Sequence, residues 1–161
     1  MHNELKSVKL GLALVLLSLA FGIGVGISFG VNEDSYKAHI AAGIEANPAV
    51  HDQQSAGRIW RYAQRAHFHA TGIASFALGL IILTLFTGMR ASSRKLASIL
   101  VGLSGLYPLS WFTMYLLAPS IGRGAAHAHL LTESFTFIGI GGLVAGFLMI
   151  VGNLFLGLFS R

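Results

Sequence analysis

The sequence has no cysteine, which excludes disulfides, zinc–thiolate and iron–sulfur centres, thiol nucleophiles and covalent c-type haem attachment. Charge is scarce as well. Asp, Glu, Lys and Arg make up 11% of the 161 residues, against roughly 25% in an ordinary soluble domain. Half of the usual polar coat is therefore missing, as expected if lipid is the solvent over most of the surface. Within the apolar runs Glu133 is the lone carboxylate. The net charge of +5 does not point to nucleic acid, because the basic residues stand at the ends of apolar runs, where membrane proteins place them.

What is present is apolar. Hydrophobic residues reach 54% and the mean hydropathy is +0.69. The length fits one domain, 1–161. Uncharged or nearly uncharged runs predict four membrane spans at about 10–30, 67–86, 96–117 and 129–159, each long enough for a hydrocarbon core of about 30 Å. The first run follows Lys6 and Lys9 like a secretory signal, but it outlasts the ~7–15 apolar residues of such a signal and no clean small-x-small cleavage site follows it. Residues 31–66 read as a long polar loop, with Asn47-Pro48 and Asp52-Gln53-Gln54 inside it. From Arg58 to Arg65 the arginines recur at spacings of three and four, which predicts an interfacial helix running into the second span. Pro108 predicts a kink in the third span. The fold class expected is all-α, an integral membrane four-helix bundle.

Lys6, Lys9, Arg90, Arg94, Lys95 and Arg161 fall on one side, and Lys37, Arg58, Arg61, Arg65 and Arg123 on the other. The positive-inside rule, weighted by the tight basic loop at 88–95, makes the termini cytoplasmic. The expected location is a bacterial inner (plasma) membrane. Gly22, Gly26 and Gly30 in the first span and Gly142 and Gly146 in the fourth form small-residue stripes. Such stripes serve either packing within a protomer or contact between protomers.

Lys9-Leu10 opens the first span and Lys95-Leu96 the third. Ala66-His67-Phe68-His69 opens the second and Ala126-His127-Ala128-His129 the fourth. This pattern suggests two duplicated helical hairpins with a His-x-His at the same depth. Residues i and i+2 of a helix are about 200° apart, so neither pair chelates one metal from a regular helix. The arrangement disfavours a zinc cage and suits haem, which takes one or two axial imidazoles and a wide apolar slot. Against this stands the ordinary role of an interfacial histidine in packing and hydrogen bonding. His2, His39 and His51 carry no assignment. Glu133 lies four residues beyond His129, on the same helical face; it either orients that imidazole or neutralises Arg65 or Arg123. Tyr107, Trp111 and Tyr115 form an i, i+4, i+8 stripe that either walls a flat apolar cavity or belongs to an interfacial aromatic belt.

With Arg65-Ala66-His67 opening the second span after Trp60, and Thr132-Glu133-Ser134-Phe135-Thr136-Phe137 in the fourth, the chain resembles the styrene oxide isomerase family of small four-span membrane proteins. The resemblance implies a homotrimer holding haem b, with His67 as iron ligand. It also implies a hydrophobic epoxide substrate opened by ferric haem as a Lewis acid, with a 1,2-hydride shift to the aldehyde. A third-span tyrosine assists in that family, and Tyr115 is the nearest candidate here, with Trp111 beside it as a pocket wall. Where the family has an asparagine this chain has Ile73, and His69 or His129 is available to take the missing role beside the cofactor. Two other readings stand beside the isomerase: a bis-histidine membrane cytochrome b using one histidine from each pair, and a non-catalytic accessory subunit.

Overall fold

The computed structural model describes residues 2–160. Arg161, counted above with the basic residues of its end, lies outside them, as does the His2 side chain. The architecture is all-α. Among the described residues six α-helices follow one another: α1 (His2–Ala46), α2 (Ser55–Leu83), α3 (Ala91–Gly102), α4 (Leu106–Ile121), the short α5 (Arg123–His127) and α6 (Leu130–Leu156). Four helical segments are long and apolar enough to cross a membrane: α1, α2, α3 with α4, and α6.

The segment 31–66, expected as a polar loop, is helical over most of its length. α1 runs for 45 residues, about 67 Å at 1.5 Å per residue, more than twice a hydrocarbon core of about 30 Å. Its backbone breaks at Asn32 (φ −148°, ψ 31°). There Asn32 Oδ1 accepts the Ser35 hydroxyl at 2.6 Å, and Glu33 and Asp34 follow at the start of the resumed helix, where its dipole favours negative charge. The charges at 33–37 hid a buried face from the sequence. Ile40 is buried, and any side chain at Gly43 would collide with Pro119. The true connector is the stretch 47–54, so α2 starts at Ser55 and carries the arginines into the second span without a break.

α2 buries Ala63, Ala66, Ala70, Ala74 and Ala77, spaced by three or four, so one small-residue stripe lies along the helix. In lipid, close approach and dispersion hold helices together, and small side chains permit it. The glycine stripes have the same use inside the protomer. Side chains at Gly22 would strike Ala70 and Thr71, and at Gly146 Val101. Gly30 has nothing within 4 Å.

The expected kink at Pro108 appears one turn earlier. Proline has no N–H to offer the carbonyl of Ser104, and a 3-10 turn at Leu103–Gly105 separates α3 from α4. α6 packs on α3 and α4. Gly122 (φ +81°) turns the chain from α4 into α5, with Val50 packed against it.

The two ends of the bundle have separate cores. One contains Val8, Val15, Ile81, Met89, Val101 and Ile150. The other contains Ile40, Ile59, Ala63, Tyr115, Ala118 and Ala126. The first is closed below by Arg94, read from the sequence as a loop charge that sets orientation. It is 1% exposed and donates to Thr84 O at 3.1 Å and Met89 O at 2.9 Å.

Candidate functional site

His67 and His69 leave α2 on opposite sides, as the rotation of about 200° over two residues requires. His67 turns toward α1. Its Nδ1 is 2.8 Å from Gly22 O. A carbonyl only accepts, so Nδ1 carries the proton and Nε2 of the neutral ring keeps its lone pair. The ring fits against α1 because residue 26 is glycine: a β-carbon there would stand 2.5 Å from His67 Cε1. Phe29 meets the ring edge-on at 6.0 Å between centroids, and Phe68 lies at 5.3 Å.

Behind Phe29 is an aromatic shell. Phe29 contacts Tyr36 at 4.9 Å and Trp60 at 5.0 Å. Tyr36 in turn contacts Tyr115 at 5.5 Å, and its hydroxyl is 2.6 Å from Ser28 Oγ. Tyr115 also faces His39 at 5.3 Å. Phe29, Tyr36 and His39 carried no role in the sequence reading. Their spacing along α1 was the available signal, and reading 31–66 as a loop concealed it.

His69 turns the other way, toward α4. Its Nδ1 is 2.9 Å from Arg65 O, and its ring lies 5.1 Å from Tyr107 and 5.8 Å from Trp111. Arg65 stands over the Trp111 ring at 4.7 Å. The aromatic stripe of α4 is thus divided. Four residues turn the helix by about 400°, and the excess accumulates until Tyr107 and Trp111 face His69 while Tyr115 faces α1. One shared cavity wall is not formed.

The second His-x-His is placed differently from the first. His67 lies about three turns inside α2, whereas His127 ends α5 and His129 caps α6, its Nδ1 accepting the Leu131 N–H at 3.3 Å. The hairpins are not duplicated at this level. Glu133 is exposed in the first turn of α6, a place the helix dipole favours for a carboxylate. Arg123 pairs with Asp52 at 2.9 Å instead, and no ion pair joins Arg65 to a carboxylate among the described residues. Ile73 is half-buried on α2. Among the described residues no group of three or more His, Cys, Asp or Glu side chains gathers around one point.

Outside the spans, two groups are shifted. The Ser55 hydroxyl holds the Asp52 carboxyl below its usual value, helped by the Gln54 amide and the Arg123 and Arg58 charges. A hydrogen bond and charge from Glu33 raise Lys37.

No family model matches the chain, and no curated protein or solved structure matches it either.

Proposed function

We propose that the chain binds haem b through His67 and works in a bacterial inner membrane, termini cytoplasmic, as an isomerase that turns a hydrophobic epoxide into an aldehyde. The observation that carries this is the His67 ring: Nδ1 bonded to Gly22 O, Nε2 turned away from that carbonyl, and Gly26 admitting the ring against α1. A backbone carbonyl on one ring nitrogen fixes both tautomer and orientation for ligation through the other. When bound, ferric haem supplies a Lewis acid toward an epoxide oxygen. The rearrangement is redox-neutral and consumes no water, so it suits a dry site within the bilayer. Phe29 and the shell behind it exclude water and present π faces to positive charge developing at carbon. Tyr115 belongs to that shell and positions substrate through it. Ile27 and Phe68, 62% and 64% exposed beside the glycines and His67, offer an apolar surface for a neighbouring protomer of a homotrimer to cover.

The test is the optical spectrum of the purified, haem-loaded protein together with epoxide turnover without reductant. His67→Ala should lose the Soret band and the activity, while His129→Ala should keep both. A native spectrum in His67→Ala overturns the assignment. A low-spin spectrum lost in both variants would establish the bis-histidine cytochrome instead.

A further inference from the structure

Glu133, the lone carboxylate of the apolar runs, has no part in the proposed chemistry. It is exposed on α6, yet Leu130 and Leu131, 75% and 52% exposed, stand nearer the helix start, and Phe137, 72% exposed, lies one turn beyond it. The carboxylate therefore stands among lipid-facing apolar side chains, where an unpaired charge is costly. Among the described residues no cation pairs with it, the ion pairs being Lys37–Glu33, Arg94–Glu4 and Arg123–Asp52. On α2, Arg61 and Arg65 are exposed and meet no carboxylate among the described residues either.

These charges stand at one depth. α2 and α6 both start at the connector end, where Asp52 pairs with Arg123, so they run in the same direction. Gly139 of α6 packs against Tyr107, whose ring is 5.1 Å from that of His69, so Gly139 and His69 lie at similar heights. Counting back at 1.5 Å per residue, Arg65 stands about 6 Å above that level, Glu133 about 9 Å and Arg61 about 12 Å. The two helices also carry matching stripes: Arg61, Arg65 and Phe68 on α2, and Glu133, Phe137 and Ile140 on α6. Each is spaced by four and then three, so each lies on one helix face. Both faces are exposed, and a side chain at Gly72, next along the α2 stripe, would meet nothing within 4 Å.

We infer that the Arg61–Arg65 face of α2 in one copy of the chain docks on the Glu133 face of α6 in the next copy. A bilayer holds all copies in one orientation and at one depth, so α2 and α6 of neighbours run parallel and charges at equal heights meet. There the arginines neutralise the carboxylate, and Phe68 and Phe137 pack below the pair. A contact of α2 with α2 would set Arg65 against Arg65, and one of α6 with α6 would set Glu133 against Glu133; like charges disfavour both. Unlike faces make a heterologous contact, which forms a ring where the rotation closes. The inference rests on the homotrimer of the proposed function and adds which faces meet.

The chain has no cysteine, so introduced pairs report the contact cleanly. Phe68→Cys combined with Phe137→Cys, oxidised in membranes, should give a ladder of up to three chains on non-reducing gels, and neither single variant should give a dimer. In detergent, Glu133→Gln should weaken the association of copies roughly tenfold, as expected for losing one charge-assisted contact. Glu133→Arg should break the oligomer, and adding Arg65→Glu to the same chain should restore it, a recovery that misfolding would not allow. A trimer that yields a dimer from Phe68→Cys alone, that loses both thiols of the double variant without a ladder, or that is indifferent to Glu133→Arg would overturn the inference and leave the homotrimer standing. A monomer with a native haem spectrum would overturn both.

Discussion

At the end that holds the chain termini, buried polar side chains bind mostly backbone. Arg94 binds two carbonyls of the loop after α2. Asn153 donates to Thr87 O at 2.8 Å and accepts the Phe159 N–H at 3.1 Å, so the C-terminal turn is tied beneath the same loop. At the opposite end, buried nitrogen atoms of His51 and Trp111 have no partner, and aromatic rings replace hydrogen bonds as the packing material. In a low-dielectric interior an unsatisfied polar group is costly. Each end nevertheless keeps one buried donor without a hydrogen bond, Arg94 Nη1 at the first and Trp111 Nε1 at the second, so the ends differ in packing material more than in satisfaction.

The strongest way to break this comparison is at Arg94. Arg94→Met should strand the Thr84 and Met89 carbonyls and lower stability by on the order of 3 kcal/mol, read by thermal unfolding in detergent. Arg90→Met, at an exposed position of the same loop, should change little. Equal effects would mean that Arg94 acts only as a loop charge.

A smaller effect separates the glycines of α1. Gly26→Val should overpack the His67 ring and cost about 1–3 kcal/mol, and with it the haem spectrum if the proposed function holds. Gly30→Ala meets open space and should be stabilising by about 0.5–1 kcal/mol through helix propensity. If Gly30→Ala instead dissociates an oligomer, that glycine is a contact between protomers, and the sizes in detergent will show it.

The smallest effect is at the connector. Asp52 is held below its ordinary 3.8 in the folded chain, so its bonds stabilise the fold above that value and are lost as pH falls through the lower folded one. The difference in melting temperature between the parent chain and Asp52→Asn should be present at neutral pH and close below about pH 4. A difference constant down to pH 3 would show that the carboxylate contributes nothing.

Composition and the four apolar runs determined the all-α architecture, because only helices and closed barrels satisfy their backbone in lipid. The arginine spacing at 58–65 likewise announced that α2 begins before the membrane. The divergence of His67 from His69 followed from helical rotation alone. Other features depended on neighbours distant in the chain. Residues 31–46 are helical despite their charge because Ile40 and Gly43 pack against α2 and α4, a gain that no local pattern contains. Arg94 looked like a solvated loop charge until the loop after α2 folded over it. The two His-x-His motifs are alike in sequence yet unlike in place, since one lies within a long helix and the other spans a helix break. α6 rests on α3 and α4, so Phe76, Gly79 and Leu83 of α2 line an open groove with Val144 and Phe147 of α6. Sequence periodicity places residues on a helix face; which faces meet, and which stand apart, is decided by packing between helices.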